Sequence, residues 1–173
     1  GYTRGDSEPG ASKLRTWRDG RTGSTVVYGE LQETEALFFR LSAEGVVRWL
    51  EGRGHDLGSP SGDRACRIAI LRSSKVPLPG EEVTAETVGS AVLELIHSMA
   101  HRVIRHTAVL SGVEQTSLAE LLVPHHLGFF VFASSRGDFV LGGLQALFET
   151  ELDRLLDQVR NGEHRCALDP GCI

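Results

Sequence analysis

From Thr84 to Leu110 the apolar positions recur at helical spacing. At about 100° per residue, Val88, Val92, Ile96, Met99 and Val103 share one side, with Leu93, Ala100 and Ile104 flanking them and Glu94, Ser98, Arg102 and Arg105 opposite. The pattern predicts a long helix over 84–110 with a broad buried face, negative charge from Glu86 in its first turn and Gly112 closing its far end. A second amphipathic helix is predicted over 142–160, where Leu144, Phe148, Leu152, Leu155 and Val159 align behind Leu141.

Between these helices the run "LGFFVFA" (127–133) is too short for a typical helix and rich in Phe and Val, which predicts a strand buried on both faces. "STVVYGEL" (24–31) and "EALFFRL" (35–41) read as two further strands, and "CRIAIL" (66–71) as a candidate third. "SAEGVVRWLEGRG" (42–54) opens on a Ser N-cap and ends in Gly, which predicts a short helix with Val46, Val47 and Leu50 facing inward. The two prolines of "KVPLPGEE" exclude regular structure there. The reading is an α+β domain over 24–173: a small mixed β-sheet covered by a long central helix and a C-terminal amphipathic helix.

Residues 1–23 lack periodicity and read as a basic loop or arm. Arg15, Arg18 and Arg21 make it a candidate DNA contact, set against a solvated arm as the plainer reading. The formal net charge of −5 argues against a domain wrapped in basic surface for nucleic acid. With 173 residues, 40 % of them hydrophobic, the chain is long enough for one self-sufficient core. No apolar run reaches the roughly 18 residues needed to cross a bilayer, so no membrane association and a cytoplasmic location are expected. The chain opens on Gly rather than Met, which suggests a piece of something larger.

His97 and His101 stand one turn apart on the long helix, where their rings can point the same way and share one metal. Structural histidines in a hydrogen-bond network, metal ligands, and general acid/base groups with Glu35 as partner are the three readings of this pair. Gly142 and Gly143 at the mouth of the last helix either let it approach the strand closely or open a cradle for phosphate or the DNA backbone. No ATPase or hydrolase motif is present. Cys166 and Cys172 flank a turn-forming Asp-Pro-Gly and could form one pair of a metal site, while Cys66 reads as a buried apolar cysteine. Three cysteines are an odd count and make a disulfide framework improbable.

Taken together, "GYTRG", "ETEALFFRL" (33–41) with a following helix ending in "RWLE", "LELIHSMAHRVIRHTAVLSG" (93–112), "FFVFASSRGDFVLGGLQAL" (129–147) and "RCALDPGCI" (165–173) resemble a known family. It is the zinc-binding C-terminal domain of DrmB-like proteins of the DISARM anti-phage system and of related MrfA-type helicase-associated proteins. The stretches occur in the family's order and cover most of the chain. The resemblance implies a non-catalytic accessory module in a DNA-translocating assembly that docks a helicase-type subunit. It also implies a zinc site of four cysteines, of which Cys166 and Cys172 match the first two. The chain ends one residue after Cys172, so only half of that site is expected here. Two other readings stand beside this one: a metal-dependent nuclease or hydrolase using His97, His101 and Glu35, and a protein–protein scaffold without nucleic-acid contact.

Overall fold

The long helix forms because its ends are capped as well as its middle being amphipathic. In the computed structural model, which describes residues 16–27, 33–74, 87–134 and 142–162, helix α3 spans Val88–Ser111. The Thr87 side chain accepts the Ser90 amide, and the Ser90 hydroxyl accepts the Thr87 amide, closing a capping box. Gly112, at φ 70°, ends the helix in the left-handed conformation that costs glycine least. The start therefore falls at Val88 rather than at 84.

The described residues fall into two compact units, 16–27 with 33, and 34–74 with 87–134 and 142–162. In the first, β1 (Thr16–Arg18) pairs antiparallel with β2 (Thr25–Val27). Asp19 organises the turn: its carboxylate accepts the Arg21 amide at 2.9 Å and the Thr22 hydroxyl at 3.0 Å, and its own amide donates to Ser24 at 2.9 Å. Those bonds, the Arg21 amide foremost, hold the Asp19 carboxyl below its ordinary value. Of the strand predicted over 24–31, Thr25–Val27 pair within this ribbon, and 28–31 lie outside the described residues.

The second unit is α+β. Strands β3 (Ala36–Arg40), β4 (Leu118–Val123) and β5 (Gly128–Ala133) form a sheet in the order β3-β5-β4, antiparallel throughout. Helix α1 (Ala43–Gly52) begins at Ser42, whose side chain accepts the Gly45 amide as predicted. The stretch predicted as a strand at 66–71 lies inside helix α2 (Asp63–Ser73). Its buried residues, Cys66 and Ile70, stand four apart, with Asp63 in the first turn and Arg72 in the last, a helical arrangement of both core and charge.

One face of α3 supplies Val92, Ile96, Ala100, Val103 and Ile104 to the core, against Phe129 and Val131 of β5, Leu118 of β4, and Val46, Val47 and Leu50 of α1. Phe129, Leu50 and Ile96 are at most 1 % exposed, and each contributes about 1.5–3 kcal/mol by leaving water. Phe129, Val131 and Ala133 of β5 are buried, whereas Phe130 and Phe132 on its other face are only half-buried. The expectation of a strand buried on both faces holds for one face alone.

The helix predicted over 142–160 is two: α4 (Gly143–Thr150) and α5 (Leu152–Asn161). Glu151, at φ −124° and ψ 7°, ends the first and precedes the second. Both halves contact α3, and the break lets each lay its own leucines down: Leu144 and Leu147 from α4, Leu155 from α5. Phe148, placed on the buried stripe by a single-helix wheel, is 55 % exposed.

Candidate functional site

His97 and His101 do converge. One helical turn apart on α3, their rings meet edge to face with centroids 4.3 Å apart, and the two Nε2 atoms approach to 3.1 Å. The carboxylate that joins them is Glu120, on the neighbouring strand β4. Its Oε1 lies 3.2 Å from His101 Nε2 and 3.7 Å from His97 Nε2. Glu120 shares one face of β4 with Leu118 and Leu122, and α3 packs against that strand, so helix and strand aim their side chains at one point. Side-chain exposure is 14 % for His101, 24 % for Glu120 and 31 % for His97. Among the described residues these three form a cluster whose ligand atoms could hold one metal ion.

Glu35, the acid expected beside the histidines, is elsewhere. Just ahead of β3, its main-chain carbonyl accepts the Ala133 amide at 3.3 Å and its side-chain Oε2 accepts the Leu144 amide at 3.1 Å. Gly142, at φ 129°, and Gly143 open α4 without a side-chain cap of their own. The anion at that helix N-terminus is Glu35, drawn by the free amides and the positive end of the helix. Gly143 also lies close to α3's exit: a Cβ there would stand 3.1 Å from the Val113 side chain.

Arg18 and Arg21 are exposed at the end of β1 and in the turn after it. Arg15, Cys166 and Cys172 lie outside the described residues. Cys66 is buried, free, and donates to the Pro60 carbonyl at 3.4 Å, and burial raises its thiol pKa above the ordinary value. His125 and His126 sit exposed on a single 3-10 turn between β4 and β5.

A second feature lies on the other side of the sheet. β3 pairs with β5 on one side, through the Glu35 carbonyl and the Leu41 amide at the ends of the register. The alternation of an antiparallel ladder then points the main-chain groups of Ala36, Phe38 and Arg40 away from β5. Phe38 and Leu121 flank Phe130 in one cross-strand row, with the Phe38 and Phe130 rings 4.7 Å apart. Phe38 is 48 % and Leu121 54 % exposed. Beside β3 runs a groove of about 650 Å³, walled by the strand and by Leu144, Phe148, Leu152 and Leu156 of α4 and α5.

Among the described residues no helix is long and apolar enough to cross a membrane. Comparison with protein-family models, curated proteins and solved structures finds no match to this chain.

Proposed function

We propose that this chain is a non-catalytic docking module of a bacterial anti-phage complex, acting in the cytoplasm, which receives an apolar segment of a helicase-type subunit. The observation that supports it is the apolar surface around β3. Phe38 stands both in the aromatic row of the sheet and on the wall of the groove, opposite the exposed Phe148 and Leu156. Contiguous apolar surface rimmed by polar residues is characteristic of protein contacts. An edge strand whose amides and carbonyls point outward binds an extended segment by adding a strand to the sheet. The ordered resemblance to helicase-associated domains supplies the class of partner. With that resemblance goes zinc held in part by Cys166 and Cys172; separately, the basic start of the chain offers DNA contact through Arg15, Arg18 and Arg21.

The test is titration calorimetry of the full chain against the helicase-type subunit of the same complex. F38S and F148S, each checked by circular dichroism, are expected to weaken binding at least about 30-fold, as for residues at the centre of an interface. Unchanged affinity in both variants refutes docking at this groove, and absence of any complex with the parent chain refutes the assignment of partner. For DNA, replacing Arg18 or Arg21 should reduce the logarithmic salt slope by about one per lost phosphate contact.

A further inference from the structure

The atoms that meet between α3 and β4 are three lone-pair donors facing a common centre. With one proton per imidazole, the two hydrogen-bond approaches are both served only if a single proton on His101 Nε2 is shared between His97 Nε2 at 3.1 Å and Glu120 Oε1 at 3.2 Å. If His97 carries it and His101 does not, the closest imidazole–carboxylate approach sets lone pair against lone pair. If both rings are protonated at Nε2, two N–H groups confront each other. A single divalent cation at the centre needs no shared proton, because all three atoms then donate to it.

The spacing suits a single small ion, and the donor set selects its type. Ligands about 2.0–2.2 Å from a tetrahedral zinc ion stand about 3.3–3.6 Å apart, whereas adjacent ligands of an octahedral ion at those bond lengths stand about 2.8–3.1 Å apart. The separations here are 3.1, 3.2 and 3.7 Å, a mean of about 3.3 Å. Two nitrogens and one carboxylate oxygen suit a borderline ion of zinc type, and three protein ligands leave the fourth corner of the tetrahedron open. The partial exposure of His97 and Glu120 leaves that corner reachable by solvent.

We propose that His97, His101 and Glu120 form a mononuclear site for a divalent ion of zinc type, four-coordinate, with water or an anionic oxygen as its exchangeable fourth ligand. The site is independent of the docking surface and of any zinc held by the terminal cysteines. Its ligands come from two adjacent elements, so the ion fastens α3 to β4 while keeping one position for exchange.

The experiment uses the full chain carrying C166S and C172S, which removes the terminal thiolates from the measurement. Calorimetry with zinc chloride is expected to show one ion bound per chain. Cobalt(II), as a spectroscopic substitute, should give the strong visible absorption of a four-coordinate centre without a thiolate charge-transfer band. E120Q, nearly isosteric, and H97A, at the most exposed ligand, should each weaken binding on the order of 100-fold while leaving the circular dichroism spectrum unchanged. Absence of stoichiometric binding overturns the site, as does an affinity that E120Q and H97A leave intact. A weakly absorbing, six-coordinate cobalt spectrum overturns the tetrahedral assignment. Zinc bound only when Cys166 and Cys172 are restored, with the triad variants silent, assigns the metal to the cysteines instead.

Discussion

Replacing Glu35 by Ala tests whether this carboxylate is a helix cap or a reactive group. In the folded chain its Oε2 accepts the Leu144 amide at 3.1 Å, at a helix start that offers only Gly142 and Gly143 and no side-chain cap. A hydrogen bond to a charged group contributes about 1.5–3 kcal/mol, and a negative charge at a helix N-terminus about 0.3–1 kcal/mol. Glu35 is half-buried, and water partly replaces it in the variant, so the net loss is about 1–2 kcal/mol. For a chain of this size that lowers the melting temperature by about 2–8 °C. E35Q keeps an acceptor but loses the charge, and should cost about half as much. Urea denaturation followed by far-UV circular dichroism measures both. The reasoning is refuted if E35A unfolds within about 0.5 kcal/mol of the parent, the scatter of ordinary surface changes, or if E35A weakens zinc binding as strongly as E120Q does.

Gly128→Ala should destabilise by about 2–4 kcal/mol, because the new Cβ would lie 2.5 Å from the Phe39 carbonyl oxygen and 2.9 Å from the Phe38 ring, and β3 must shift to admit it; a denaturation midpoint equal to the parent's contradicts this. Thr107→Val should be neutral or stabilising by about 1 kcal/mol, since the Thr107 side chain is fully buried and its hydroxyl has no hydrogen-bond partner among the described residues; thermal melting decides it. His106 has its pKa lowered, first by burial and then by the Arg105 and Arg102 charges. A histidine with a depressed folded-state pKa favours the fold when neutral, so its contribution is present above the unfolded value of about 6.5 and is lost as pH falls through the lower folded value. Unfolding free energy measured from pH 7 downward should therefore fall less steeply in H106N than in the parent.

The helical half of the fold was legible because its signals are periodic and capped. Thr87, Ser90 and Gly112 bound α3 within a few residues of the pattern's limits, and Ser42 marks α1 at the residue expected. The strands were harder. "LAELLV" is composed of good helix formers, and only pairing with β5 makes it β4. The same local ambiguity turned α2 into an expected strand, because Ile68, Ile70 and Leu71 are apolar although only Ile70 is buried. The candidate site suffered directly. Two of its ligands were visible as an i, i+4 pair, while the third lay in the strand that composition concealed. Glu120 flanked by Leu118 and Leu122 was the available signal, a polar residue interrupting an apolar segment. Glu35 was conspicuous for a different reason: an acid beside a strand reads equally as catalyst or cap until the helix it caps is placed. The aromatic content of β3 and β5 indicated burial, but not that Phe38 would be left on the outer face.

The order β3-β5-β4 has a consequence for assembly. His97, His101 and Glu120 lie within a contiguous stretch, and β4 and β5 are neighbours in sequence, so α3, β4 and β5 meet by closing short loops. β3 must return across most of the chain to pair Ala36 with Phe132, and such distant contacts form slowly. The His97, His101 and Glu120 cluster therefore rests on contacts close in sequence, the kind that tend to form early. The strand that depends on the longest closure is also the one that walls the groove beside α4 and α5, so among the described residues the groove exists only once that distant pairing is made.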